Sequence, residues 1–168
     1  MQKLAILVTR LSSWVLSKMG RGGSMPGRLG IKIAPDCLNH LKFGGPVILV
    51  TGTNGKTSTA NMVSDLMEEA GYKVVTNRKG DNLRVGITST LLSHCSLSGR
   101  VKADAAVLEV DELNMKYIVP ALPVTAIVVN NFFRDQLDRA GEMERIIDTI
   151  ESVLPDYQGD LILNGNDP

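Results

Sequence analysis

An α/β fold with a mostly parallel sheet and helices on both faces is predicted by three observations. Short strands that are apolar throughout recur along the chain. Helical stretches separate them. A glycine-rich turn carrying Gly55-Lys56-Thr57 joins the first strand to the helix behind it. Strands without polar alternation are those buried on both faces, which is the condition of a parallel sheet covered by crossover helices.

Residues 3–19 precede this alternation. Leu4, Leu7, Val8, Leu11, Trp14, Val15 and Met19 recur at three- and four-residue steps, a helical period. Lys3, Arg10 and Lys18 lie mostly off that stripe. Gly20 to Gly27, with Gly22-Gly23 and Pro26 between them, breaks the helix. Two uses fit such a stripe: packing on the domain with the cations in solvent, or lying on an anionic membrane surface.

From Pro46 the pattern changes. Val47-Ile48-Leu49-Val50 reads as a buried strand, and residues 56–70 as a helix that Gly71 stops. A strand follows at 73–76, a helix at 83–93, a strand at 105–110 and a short helix at 112–118. Another strand at 125–129, a helix at 142–153 and a last strand at 160–163 complete the series. Ligands of such sheets bind beyond the carboxyl ends of the strands. The chemistry is therefore expected just after Val50, Val110, Val129 and Leu163.

Composition sets the frame. The 168 residues suit one domain. Hydrophobic content of 43% and charged content of 21% exclude a disordered chain. No apolar run approaches the roughly 18 residues of a membrane span. Cys37 and Cys95 match no metal or redox spacing and are read as free thiols of a cytoplasmic protein. A net charge of +0 excludes nucleic-acid binding by bulk charge. Residues 1–35 nevertheless hold six basic residues and no acid.

The strongest motif is Thr51-Gly52-Thr53-Asn54-Gly55-Lys56-Thr57, in the strand–turn–helix setting of a phosphate loop. Glycines let the backbone approach an anion, and amide N–H groups with the helix N-terminus supply positive potential. Lys56 is placed to reach the β/γ-phosphates, and the Thr57 hydroxyl to ligate Mg²⁺. The usual spacing would want glycine at Val50, so the loop is a variant. Glu109-Val110-Asp111-Glu112 puts three carboxylates at a strand end, where Mg²⁺ is held against phosphates. Glu112 equally suits the start of the next helix. Asn130 to Arg139 lands on the same face. Asn77 to Asn82 offers an anion contact, or a solvated turn in which Asn82 caps the next helix. His40 and His94 have no catalytic neighbours in sequence and are read as structural.

Together these segments, with Met25-Pro26-Gly27 and Leu163-Asn164-Gly165-Asn166-Asp167-Pro168, resemble the ATP-binding middle domain of the Mur ligases, which join carboxylates to amines in cell-wall synthesis. The run Asn131 to Arg139 narrows the resemblance to the branch that amidates lipid II. The resemblance implies two parts: residues 1–40 as a basic amphipathic segment and residues 41–168 as the ATP-binding domain. It also implies ATP and Mg²⁺ as cofactors. Gly52, Thr53, Asn54, Gly55, Lys56, Thr57 and Ser58 would hold the phosphates, with Asn164 and Asp167 near the nucleotide. Lys56 and Glu109 would be catalytic, and Arg78, Asn82 and Asn131 would face the substrate. Thr57 and Glu109 would ligate metal. Gln136 stands where the family usually has a histidine that binds a second metal, and is the weaker ligand.

The implied reaction converts the α-carboxylate of D-glutamate in lipid II to an amide through an acyl phosphate. Ammonia would come from a glutamine amidotransferase subunit of the GatD type. Membrane-bound lipid II as substrate implies a cytoplasmic location at the inner face of the cell membrane, with residues 1–24 as a peripheral contact. Members of that branch continue through a four-cysteine zinc ribbon and a C-terminal domain. The resemblance thus implies a fragment unable to complete catalysis alone, with zinc only downstream. A folylpolyglutamate-synthase-like ligase and a non-catalytic nucleotide-binding scaffold are the alternative readings.

Overall fold

The structure, a computed structural model, describes residues 1–20, 23–78, 81–132 and 140–166, with side chains of the last helix from residue 144 onward. Five strands form one sheet: β1 (Val47–Thr51), β2 (Val74–Thr76), β3 (Ala105–Glu109), β4 (Ala126–Val129) and β5 (Asp160–Leu163). Their spatial order is β2-β3-β1-β4-β5, and every pair is parallel. The winding reverses at β1, with β2 and β3 on one side and β4 and β5 on the other. Ligand crevices of open α/β sheets lie at such a reversal.

Helices α1 (Gln2–Lys18), α2 (Met25–Ile33), α3 (Lys56–Glu69), α4 (Arg84–Ser93), α5 (Met115–Ile118) and α6 (Ala140–Glu151) surround the sheet, with short 3₁₀ turns at Cys37–His40, Glu112–Asn114 and Val119–Ala121. The faces of the sheet sort by strand parity. Val47 and Leu49 of β1 and Ala106 and Leu108 of β3 pack with Ile87, Leu91 and Leu92 of α4 and with Ala5 and Ile6 of α1. Val50 and Val107 face the other way, onto Ala60, Val63 and Met67 of α3. Burial of this set supplies roughly 1.5–3 kcal/mol per large side chain. Cys37 and Cys95 are buried and unbridged, as expected.

The structure corrects one sequence reading and narrows another. Gly20 to Gly27 does more than break a helix, since α2 begins at Met25. Pro26 falls in its first turn, where a missing N–H costs nothing. The two glycines of α2 serve close packing. A Cβ on Gly27 would overlap the Val85 carbonyl oxygen of α4, and one on Gly30 would lie 2.6 Å from Thr9 Oγ1 of α1. The second concerns α1, for whose stripe the sequence left packing on the domain open; the structure leaves the stripe uncovered apart from the half-buried Val8. Ala5, Ile6 and Thr9 are buried instead, and Leu4, Leu7, Leu11, Trp14, Val15 and Met19 are exposed. The inward face combines the large, fully buried Ile6 with the small Ala5 and Thr9, which admit the close approach of α2.

Candidate active site

β1 delivers the chain into the turn Gly52 to Gly55, and α3 starts at Lys56. Gly52 has φ +125° and Gly55 φ +79°, a region that side chains disfavour. Space alone also requires Gly52: a Cβ would lie 2.9 Å from both the nitrogen and the oxygen of Asn131. The turn is latched to the residues after β4. Thr53 N–H donates to Asn131 O at 2.8 Å, and Asn54 N–H to Asn131 Oδ1 at 3.0 Å. Asn131 Nδ2 and Asn130 Nδ2 each donate to Asn54 O at 3.2 Å, and Asn130 Nδ2 also reaches Thr59 Oγ1 at 2.9 Å.

The first bond of α3 at this end runs from Thr59 N–H to Gly55 O. The N–H groups of Gly55, Lys56, Thr57 and Ser58 therefore precede the helical ladder. They form a donor cluster at the positive end of the helix dipole, which suits a phosphate group. The Lys56 ammonium folds over the turn, donating to Gly52 O, to Thr53 O at 3.2 Å and to Glu112 Oε1 at 3.2 Å.

Strand parity puts Glu109 on the α3 side, like Val107. It is 4% exposed. Its Oε2 accepts the Thr57 hydroxyl at 2.7 Å, and its Oε1 accepts Asn82 Nδ2 at 2.9 Å. Asn77 fixes the strand end from the other side, accepting from Glu109 N–H at 2.9 Å and donating to Glu109 O at 2.8 Å. Among the described residues Glu109 has no cationic partner. A buried carboxylate held by neutral donors lacks charge compensation. A divalent cation beside Thr57 Oγ1 would supply it. These donors fit Mg²⁺, which takes one or two carboxylates and fills its other positions with phosphate oxygens and water.

The acids of the Glu109–Glu112 cluster divide their work. Glu109 faces Thr57, and Glu112 holds Lys56. Asp111 caps the 3₁₀ turn, accepting Leu113 N–H at 3.1 Å. Asn82 does not cap α4. The Arg84 N–H is met instead by Asn114 Oδ1 at 3.0 Å.

The structure thus brings Gly52, Thr53, Asn54, Gly55, Lys56, Thr57, Ser58, Asn82, Glu109 and Asn131 to the carboxyl edge of the sheet. Asn131 engages the loop through both ends of its amide. Asn164 lines a cleft of about 230 Å³ with Asn130 and Asn131, and its Oδ1 accepts Asn166 N–H at 3.1 Å. Arg78 turns to α3, pairing with Asp65 at 2.6 Å and Glu68 at 3.0 Å. Asp65 in particular raises its already high pKa. Gln136 and Asp167 lie outside the described residues. Sequence reasoning did not assign the clamps Asn77 and Asn130. Their signal was position, each directly following a strand on the ligand edge.

A Gly-Lys-Thr loop in this setting, faced by a strand-end carboxylate, defines a phosphate-binding α/β fold of the phosphate-loop class. The family profile of the Mur ligase middle domain matches residues 50–168, and the chain belongs to that family. It is 36% identical to the lipid II isoglutaminyl synthase (glutamine-hydrolyzing) subunit MurT of Streptococcus pneumoniae R6, over 98% of this chain and 37% of that protein. It is 30% identical to the MurT subunit of Staphylococcus aureus COL, over 99% of this chain and 38% of that protein. The chain therefore spans a little over a third of the length of these relatives. The MurF ligase of Thermotoga maritima, solved in complex with ADP, shares the fold with a TM-score of 0.62 at 20% identity, covering 86% of this chain and 32% of its own. MurF of Acinetobacter baumannii does so with 0.65 at 19%, covering 83% and 31%.

Proposed function

We propose that this chain is the nucleotide-binding part of an ATP-dependent amide-forming ligase that amidates the α-carboxylate of D-glutamate in lipid II, in peptidoglycan synthesis. The observation that carries the reading is the Thr57–Glu109 hydrogen bond beside the glycine turn. It supplies two metal donors next to a cluster of free-standing helix N–H groups. Similarity to MurT along nearly the whole chain supports the substrate class.

The substrate carboxylate oxygen would attack the γ-phosphorus of ATP, and ADP would leave, giving an acyl phosphate. Ammonia would then attack the acyl carbon, phosphate would depart, and the nitrogen would lose a proton. Lys56 exchanges a loop carbonyl for a phosphate oxygen and offsets the repulsion between two anions. The N–H groups of residues 55–58 orient the phosphate chain. Mg²⁺, held by Thr57 and Glu109, would polarise the transferring group. Asn82 keeps the Glu109 carboxylate aimed at the loop and stands on the acceptor side.

A glutamine amidotransferase subunit of the GatD type would deliver the ammonia. The test is the whole enzyme mixed with that glutaminase, lipid II, ATP and glutamine. Amidated lipid II and stoichiometric ADP are expected. Nucleotide binding without ADP formation would instead establish a non-catalytic scaffold.

A further inference from the structure

We propose that the outward face of α1 is a docking surface for an anionic lipid bilayer. It rests on the surface of α1 alone and stands whether or not the ligase reading holds. The helix has two faces of opposite use. Ala5, Ile6 and Thr9 close onto the domain, and Thr9 Oγ1 reaches Pro26 O at 3.2 Å. On the opposite side Leu4, Leu7, Leu11, Trp14 and Val15 form a stripe, with Leu11 64% and Trp14 56% exposed. A contiguous apolar stripe on a surface helix is unusual unless something covers it.

The polar groups along α1 point to what covers it. Lys3 and Arg10 lie seven residues apart on one flank, and the Lys18 ammonium sits 4.4 Å from the centroid of the Trp14 ring. Among the described residues none of the three cations forms an ion pair. The helix contains no acid. The Ser12 and Ser17 hydroxyls are closed back on the backbone of α1, to Val8 O at 2.7 Å and Trp14 O at 2.8 Å, and Ser13 Oγ meets Ser93 Oγ of α4 at 3.1 Å. An apolar face flanked by unpaired cations, with a tryptophan at its edge, complements an interface of acyl chains and anionic headgroups.

A second copy of this chain fits less well. A symmetric pair would bring like-charged flanks together with no carboxylate on either helix. At 17 residues α1 is about 26 Å long, and no described helix is long and apolar enough to cross a membrane. The geometry is that of a helix lying in the membrane plane.

The full chain is to be co-sedimented with phosphatidylcholine vesicles, with and without phosphatidylglycerol, at low and high salt. Trp14, the single tryptophan of the chain, reports insertion through its emission. Binding is expected only with phosphatidylglycerol, weakening with salt, and accompanied by a shift of emission to shorter wavelength. Leu11→Ala is expected to weaken partitioning about tenfold, and Lys18→Gln about fivefold. Both positions are exposed, so thermal melts of the variants should match the parent. Failure of the folded parent to bind anionic vesicles would overturn the proposal. So would equal binding by Leu11→Ala, or a lipid-free dimer that Leu11→Ala disperses.

Discussion

The Thr57 hydroxyl donates to Glu109 Oε2 at 2.7 Å, joining the first turn of α3 to the end of β3. The two residues meet because β1 and β3 are adjacent and parallel, with Val50 in register with Glu109. The turn after β1 therefore opens beside the end of β3. Parity then turns the Glu109 side chain toward α3, and Asn82 and Asn77 hold it there.

Lys56 and Glu112 form a second link over the same turn, with both side chains largely buried. Lys56→Ala is expected to lower ligation by about 10²–10³-fold while helix content is unchanged. It also leaves the Glu112 carboxylate without its cation, costing about 1–3 kcal/mol. Adding Glu112→Gln should restore stability without restoring activity. Circular dichroism melts and turnover of the whole enzyme, measured together, check both halves.

Gly52→Ala places a methyl group against the Asn131 backbone at a φ that alanine disfavours. A cost of about 1–3 kcal/mol follows. For a chain of this size that lowers the melting temperature by about 2–4 °C per kcal/mol. Nucleotide affinity should fall with it, because the displaced turn carries the N–H cluster. A melting curve and a nucleotide titration on one sample check this.

Gly27→Ala separates stability from the site. The added methyl overlaps the Val85 carbonyl oxygen between α2 and α4. About 2–4 kcal/mol of destabilisation is expected from overpacking without room to yield. The urea midpoint should drop, while the folded fraction keeps its nucleotide affinity.

Burial pushes the Cys37 and Cys95 thiols above their ordinary value of 9.0. The folded state thus prefers both thiols protonated. That contribution is fully present below about pH 9, and is lost as pH rises through 9 toward the raised folded values. The urea midpoint of the parent should decline above pH 9 more steeply than that of Cys37→Ala/Cys95→Ala. At neutral pH a thiol reagent should label the folded chain far more slowly than the unfolded chain.

The order of strands and helices from Val47 onward was legible in the sequence. Fully apolar runs and glycine stops are local signals that tertiary context reinforces. The Gly-Lys-Thr turn and Glu109 were legible for the same reason. Other features depend on contacts distant in sequence. The inward face of α1 is made by Ala5, Ile6 and Thr9, which lie off its apolar stripe, so the stripe gave no clue to its direction. Met25–Ile33 hides its helix behind Pro26, Gly27 and Gly30, which read as breakers until a neighbour requires small residues. Arg78 beside a glycine suggested an anion contact, yet Asp65 and Glu68 on α3 lie within its reach. Asn77 clamps the backbone of Glu109, and Asn130 reaches Asn54 O and the Thr59 hydroxyl, contacts distant in sequence that no spacing rule encodes.

The most direct test is a calorimetric titration of the chain with a non-hydrolysable ATP analogue across a series of Mg²⁺ concentrations. The parent should bind the analogue, with affinity rising as Mg²⁺ is added. In Glu109→Gln and Thr57→Ala that Mg²⁺-dependent gain should shrink by about tenfold or more, equivalent to about 1.4 kcal/mol. Affinity that ignores Mg²⁺ and both substitutions, or a folded protein that takes up no nucleotide, would contradict the site described between β1, β3 and α3.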